Sequence, residues 1–281
     1  MAGRPDPKGL AHAIVISQDF LNDEPFTMYL GDNLLKQGAK PLIDLFEKNQ
    51  DDCVVAVAKV KEPSRYGIAI FDEKGKIKRF MEKPKQPVSD LALIGVYVFN
   101  NRVFDAVKRI KPSWRGELEI TDAVQVLLEN GAKVEVQTVQ GWWKDTGRPE
   151  DLLEANQLVL QELQPLNEGL LEENASTTGA VRIGRDTIVR SRTEIRGPVA
   201  IGQRCEIGPN SYIGPHTSIG NDVIIRNSEV ENSIVMDGAH IDCGKRIVDS
   251  LIGSKANITS SEKNLPRGMK LILGDLTYVS V

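Results

Sequence analysis

Cysteine is scarce in this chain: there are three, Cys53, Cys205 and Cys243, far apart and in no C-x-x-C pair. That spacing excludes a disulfide framework, argues against a structural zinc site and suits a reducing compartment. Long apolar runs are missing as well, so no stretch has the length of a membrane span. The opening residues MAGRPDPKGLAHA hold no hydrophobic leader core, and a cytoplasmic location is the expectation. Nor is there an excess of basic charge. Lys and Arg number 35 against 39 Asp and Glu, a formal charge of −4. The two signs are interspersed, which leaves no basic field for nucleic acid. What remains is an ordinary globular composition, 41% hydrophobic and 26% charged. The 281 residues suffice for one large domain or two ordinary ones.

The first half alternates helical and extended patterns. Apolar residues recur at helical spacing over 9–21, and 25–30 reads as a buried strand ending in Gly31-Asp32-Asn33. Residues 41–49 predict a helix with Leu42, Leu45 and Phe46 on one face. CVVAVAKV at 53–60 and LALIGVYVFN at 91–100 are apolar strands; 67–72 and 76–83 pair around the turn Glu73-Lys74-Gly75. A helix is predicted over 120–128 with Thr121 as its N-cap, and a strand over 134–139. A long amphipathic helix over 149–163 opens with Pro149. Such alternation predicts an α/β, Rossmann-like mixed-sheet domain, placed at 1–165.

After Pro165 the character changes. Residues 166–180 read as a linker, and an internal repeat occupies 181–281. From Ile183 every sixth residue is Ile or Val: Ile183, Val189, Ile195, Ile201, Ile207, Ile213, Ile219 and Ile225. Four residues after each stands a small side chain, Thr187, Thr193, Val199, Cys205, Ser211, Thr217 and Val223, until Glu229 breaks the series. Gly follows the aliphatic residue at 184, 202, 208, 214 and 220. Such hexads build a left-handed parallel β-helix with aliphatics inward and Gly at tight corners. Past 225 the register slips and resumes loosely at Val230, Ile234, Ile241, Ile247, Ile252 and Ile258. The tail LPRGMKLILGDLTYV predicts a closing strand pair.

Three places carry chemistry. Asp32 directly follows an apolar strand, where ligands bind in open α/β sheets and where a carboxylate can hold Mg²⁺ against phosphate oxygens. Glu82-Lys83-Pro84 closes another strand, and Trp143-Lys144-Asp145-Thr146-Gly147 places a second carboxylate in a loop before a Pro-initiated helix. Singly, each is equally a turn former or a surface ion pair. Together, two separated carboxylates and a Lys suit phosphoryl-type transfer, where catalysis is mostly positioning and charge neutralisation.

In order and spacing these motifs resemble the glucose-1-phosphate thymidylyltransferases of the long form, sugar-1-phosphate nucleotidylyltransferases with a hexapeptide-repeat tail. The matching residues are Gly9-Leu10-Ala11, Leu30-Gly31-Asp32-Asn33, Tyr66-Gly67, Glu82-Lys83-Pro84, Gly95-Val96-Tyr97, Trp143 through Gly147, and Leu271-Ile272-Leu273-Gly274-Asp275. The resemblance implies that Gly9 and Leu10 receive the base, and that Asp32 and Asp145 hold Mg²⁺ on the nucleotide phosphates. It implies that Gly67, Glu82 and Val96 meet the sugar, that Lys83 neutralises the sugar phosphate, and that Trp143 stands beside the second metal ligand. Lys83, Asp32 and Asp145 are the implied catalytic residues. The implied reaction joins a sugar-1-phosphate to a nucleoside triphosphate, dTTP by resemblance, with pyrophosphate leaving. Separately, the flat faces of a β-helix and a sheet without its first strands leave surfaces that want cover, so a homo-oligomer is the expectation.

The family also has a G-x-G-T-R-L-x-P loop whose backbone N–H groups wrap the triphosphate and whose Arg meets the leaving pyrophosphate. No such segment occurs in these 281 residues. The expectation is that the first βαβ portion of the nucleotide-binding fold is missing and that the chain alone has little activity. Two other readings stay open: a non-catalytic nucleotide- or sugar-phosphate-binding regulatory or assembly subunit, and an acyltransferase on the β-helix using His216 or His240.

Overall fold

The structure, a computed structural model, describes residues 8–260, so the predicted closing strand pair at 265–279 lies outside the described residues. The chain divides into two compact units, 1–147 and 148–281. Among the described residues no helix is long and apolar enough to cross a membrane.

The first unit is a mixed α/β sheet domain. Its elements begin α1 (Leu10–Leu21), β1 (Phe26–Tyr29), β2 (Asn33–Leu35), α2 (Lys40–Asn49), β3 (Cys53–Lys59), β4 (Ile68–Phe71), β5 (Ile77–Met81) and β6 (Leu91–Phe99). They continue with α3 (Arg102–Val107), α4 (Ile120–Glu129), β7 (Val134–Thr138) and β8 (Trp143–Asp145). The main sheet runs β5-β4-β6-β3-β7, with β1 also on β6; β2 and β8 form a separate ribbon. In the main sheet only β3 and β7 run parallel.

Both faces of this sheet are covered, which is why β3 and β6 read as unbroken apolar runs. Cys53, Val55, Val57, Leu93, Tyr97 and Phe99 enter one core with side chains of α1, α3 and α4. The alternate residues Val54, Ala56, Ile94, Val96 and Val98 enter another with Leu42 and Phe46 of α2. Each fully buried Val or Leu contributes about 1.5–3 kcal/mol. One irregularity shapes the site. Val55 faces Tyr97 and Val57 faces Leu93, so Ile94, Gly95 and Val96 bulge opposite Ala56. Gly95 is needed there, because a Cβ would lie 2.6 Å from Leu30 Cδ1. The short elements α3, β2 and β8 escape periodicity arguments, being six, three and three residues long.

The second unit opens with α5 (Pro149–Leu160), expected from sequence in the first domain. It is held to the repeat by polar contacts. Asn156 Nδ2 donates to the His216 carbonyl at 2.8 Å, Ser218 Oγ donates to Asn156 Oδ1 at 2.5 Å, and Gln157 Nε2 donates to Asn232 Oδ1 at 2.8 Å. From Leu166–Asn167 to Asn257–Thr259, short strands stack into parallel sheets of six, five and six strands. This is a left-handed β-helix of hexapeptide-like repeats. Ile183 pairs with Ile201 and Ile201 with Ile219, a coil of 18 residues.

Residues 166–180, predicted as a linker, carry strands that pair with the next coil. Asn167 lies under Ile183 and Thr177 under Ile195. A terminal coil packs on one side only and tolerates polar residues where inner coils need aliphatics, so the hexad is invisible there.

All eight hexad aliphatics are buried, and so are the seven small residues. The corners divide the labour differently from expectation. The left-handed turn residue is Asp186, Arg192, Arg204, Asn210, His216 or Asp222, all non-Gly with positive φ. Gly184 and Gly202 instead admit the neighbouring coil: a Cβ on Gly202 would lie 2.5 Å from the Gly220 carbonyl oxygen. Past 225 some sides shorten by one residue. Ile213 pairs with Val230, Ile219 with Val235 and Ile225 with Ile241. Val235, not Ile234, is therefore the inward residue, 1% exposed. The left-handed residues keep step at Asn227, Asn232, Asp249 and Lys255, with Gly238 and Gly244 between.

Candidate functional site

Two groups of side chains in the first unit carry the predicted chemistry. The first surrounds the β2–β8 ribbon. Antiparallel pairing sets Asn33 opposite Asp145. Thr146 closes the ribbon on Asp32, its N–H and its hydroxyl both donating to the Asp32 carbonyl, at 2.7 and 2.8 Å. Asp32 and Asp145, 113 positions apart in the chain (145 − 32), are thus brought to neighbouring backbone positions. Asp32 is exposed and Asp145 half-buried. Gly147 N–H donates to Asp145 Oδ1 at 3.2 Å. Trp143 Nε1 donates to Asn33 Oδ1 at 2.6 Å, and its ring meets Tyr66 edge-on with centroids 5.8 Å apart.

The second group begins at Tyr66. Lys83 N–H donates to the Tyr66 carbonyl at 3.1 Å, with Lys83 itself in a left-handed turn, φ 36. That closure sets Tyr66-Gly67 against Glu82-Lys83. Glu82 Oε2 accepts the Thr121 hydroxyl at 2.6 Å. Gly67 is needed beside them: a Cβ there would collide with Thr121 Oγ1 and lie 3.0 Å from Glu82 Oε2. Thr121 is not the N-cap of α4; Glu119 holds that position, leaving the Thr121 hydroxyl inside the first turn for Glu82.

Arg115 enters from the loop before α4. Its guanidinium lies 3.6 Å from Glu82 Oε1, 2.7 Å from Glu117 and 3.8 Å from Glu119. Lys83 Nζ is 3.9 Å from Glu82. Ser113 fixes the loop: its hydroxyl donates to Glu119 Oε1 at 2.7 Å and accepts Arg115 N–H at 3.1 Å. Burial pushes the Glu82 carboxyl above the usual range. The Thr121 hydroxyl opposes this, the Glu119 charge adds to it, and Lys83 and Arg115 oppose it more weakly.

The remaining predicted residues fall as follows. Gly9, φ 96, lies against the same loop, where a Cβ would sit 2.6 Å from the Leu118 carbonyl oxygen; Leu10 beside it is 37% exposed. Val96 is wholly buried, in one core with Leu35, Phe46 and Val98, in the bulge of β6. His216 sits at a β-helix corner and His240 within a strand stacked on Ile224 and Asn257, on different columns. Sequence reasoning missed Arg115 and the site roles of Asn33 and Thr121, although the run Arg115-Gly116-Glu117-Leu118-Glu119 is dense in charge just before a helix.

Known proteins match along nearly the whole chain. The profile described as Nucleotidyl transferase matches residues 1–162, and that described as GMPPB C-terminal domain matches 195–264. The Low-salt glycan biosynthesis nucleotidyltransferase Agl11 of Haloferax volcanii is 44% identical over 270 residues, 96% of this chain and 76% of that protein. The Glucose-1-phosphate thymidylyltransferase of Streptomyces griseus is 42% identical over 269 residues, 96% of this chain and 75% of that protein. Among solved structures, a putative glucose-1-phosphate thymidylyltransferase from Bacillus anthracis superposes with TM-score 0.51 at 32% identity, over 58% of this chain and 65% of that one. The chain belongs to the sugar-1-phosphate nucleotidyl transferase family, in a form with a C-terminal β-solenoid.

Proposed function

We propose that this site binds glucose-1-phosphate and serves its transfer to the α-phosphorus of dTTP, giving dTDP-glucose and pyrophosphate. The observation that carries the reading is the convergence of Gly67, Glu82, Lys83, Thr121 and Arg115 in one place. A half-buried carboxylate among hydrogen-bond donors suits sugar hydroxyls. Lys83 and Arg115 beside it suit a phosphate, the Arg as a planar fork and the Lys as a point charge. The thymidylyltransferase from Streptomyces griseus, matched over nearly the whole chain, supports the choice of dTTP.

Asp32 and Asp145 are the groups that would hold Mg²⁺. They fit that ion: both offer hard carboxylate oxygens, and among the described residues neither is ion-paired. Mg²⁺ is commonly held by one or two carboxylates, with waters and substrate phosphates completing its shell. When bound it would neutralise phosphate charge. The chain's own residues orient the sugar through Glu82 and Gly67 and draw the phosphate with Lys83 and Arg115.

Calorimetric titration of glucose-1-phosphate tests the site. Binding is expected, with Lys83→Ala and Arg115→Ala each weakening it by about 10-fold or more, the worth of a hydrogen bond to a charged group. Unchanged affinity in both variants would reject it.

A further inference from the structure

Asn33 is polar yet 7% exposed. Its Nδ2 donates to Asp32 Oδ1 at 2.9 Å. Its Oδ1 accepts Trp143 Nε1 at 2.6 Å and the Gly95 N–H at 3.4 Å. One amide thus joins the loop after β1, the strand β8 and the bulge of β6. No other small side chain does this. A carboxylate would accept twice but could not donate to Asp32; Leu would do neither; Ser has a shorter reach.

The geometry points to Asn33 as a positioning residue that fixes the rotamer of the Asp32 carboxylate beside the backbone position of Asp145, an inference that rests on the metal reading above. Asp32 is otherwise an exposed side chain with rotamer freedom to lose when it engages a cation. The Asn33 amide holds one carboxylate oxygen and leaves the other free. Asn33 is also the residue paired with Asp145, so orientation of one carboxylate and backbone placement of the other come from a single position. Trp143 extends the network, because its ring contacts Tyr66, whose carbonyl receives the Lys83 N–H. Outer partners of this kind set the orientation and affinity of the groups that touch a metal.

The test titrates the 281-residue chain with Mn²⁺, following free ion by electron paramagnetic resonance. The variants are Asn33→Leu, Asn33→Ser and Asp32→Asn. Thermal unfolding and the Trp143 indole N–H resonance are recorded on each. Asp32→Asn is expected to abolish binding. Both Asn33 variants are expected to weaken it about 10- to 100-fold while still unfolding cooperatively, with the indole resonance displaced by loss of its acceptor. If Asn33→Leu does not fold, Asn33→Ser, which leaves room for a water, decides alone. Asn33 variants that bind Mn²⁺ like the parent, while Asp32→Asn does not, would overturn the positioning role and leave the metal reading standing. A parent that binds no Mn²⁺, or an Asp32→Asn chain that binds it equally, would overturn the metal reading and this inference with it.

Discussion

A carboxyl half out of water, with another carboxylate nearby, holds its proton more tightly than one in solvent, and Glu82 is that group. Its folded-state value lies above its unfolded one, so the ionised form works against folding at neutral pH. The penalty shrinks as pH falls through the raised value, where the folded protein takes up the proton first. Glu82→Gln keeps an acceptor for the Thr121 hydroxyl and removes the charge. It is expected to melt at a higher temperature than the parent at neutral pH, with the gap closing on acidification, and to bind glucose-1-phosphate less well. A gap that widens toward acid would contradict the assignment. Stability given up for a usable charge is a frequent mark of working sites. Asp32, Glu82, Lys83 and Asp145 were legible in the sequence as strand-end acids and a base. Arg115 and Asn33 were not, since a loop Arg and the last letter of Leu30-Gly31-Asp32-Asn33 announce nothing until the chain folds them against Glu82 and Trp143.

At the scale of the element, the β-helix separates two kinds of buried hydroxyl that look alike in sequence. Thr187 bridges coils: its hydroxyl donates to the Gly202 carbonyl at 2.8 Å and accepts Cys205 N–H at 3.0 Å. Ser228 and Ser233 likewise accept the N–H groups of Cys243 and Ser250 in the coil above. Thr217 is as deeply buried, yet its hydroxyl has no partner among the described residues. Thr187→Val is therefore expected to destabilise the protein by about 1–3 kcal/mol, the cost of stranding buried polar groups, whereas Thr217→Val should be neutral or stabilising. Denaturant titration of the two variants checks this, and equal losses would count against it. The six-residue period was plain enough to predict the solenoid. The first coil and the shortened sides past 225 were not, because a coil covered on one side keeps no aliphatic rule and a five-residue side breaks the count. The polar contacts that tie α5 to the coils leave no trace in its own amphipathic pattern.

Over the whole molecule, the groups proposed to meet the sugar phosphate all lie in the first unit. Among the described residues β1 hydrogen-bonds on one side only, to β6, and Ile16 and Phe20 of α1 stand 62% and 89% exposed. An open strand edge and exposed apolar side chains each invite pairing with another chain. Self-association is expected on sedimentation, and a clean monomer at high concentration would contradict it. Turnover follows from the same division of parts. In nucleotidyl transfer, charge builds on the departing pyrophosphate, and losing a single preorganised donor lowers a rate by about 10²–10³ in other enzymes. Lys83 and Arg115 lie beside Glu82, the group suited to the sugar, rather than in a Gly-rich loop. Incubated alone with glucose-1-phosphate, dTTP and Mg²⁺, the chain is therefore expected to release pyrophosphate at least about 100-fold more slowly than a relative carrying the loop, while still binding glucose-1-phosphate. Replacing dTTP by UTP in the same assay reads the base preference. A rate equal to the relative's would show that the charges for the leaving group come from within the 281 residues or from a second copy of the chain. Restored turnover on adding the loop-bearing segment of a relative would place the deficit in the cradle.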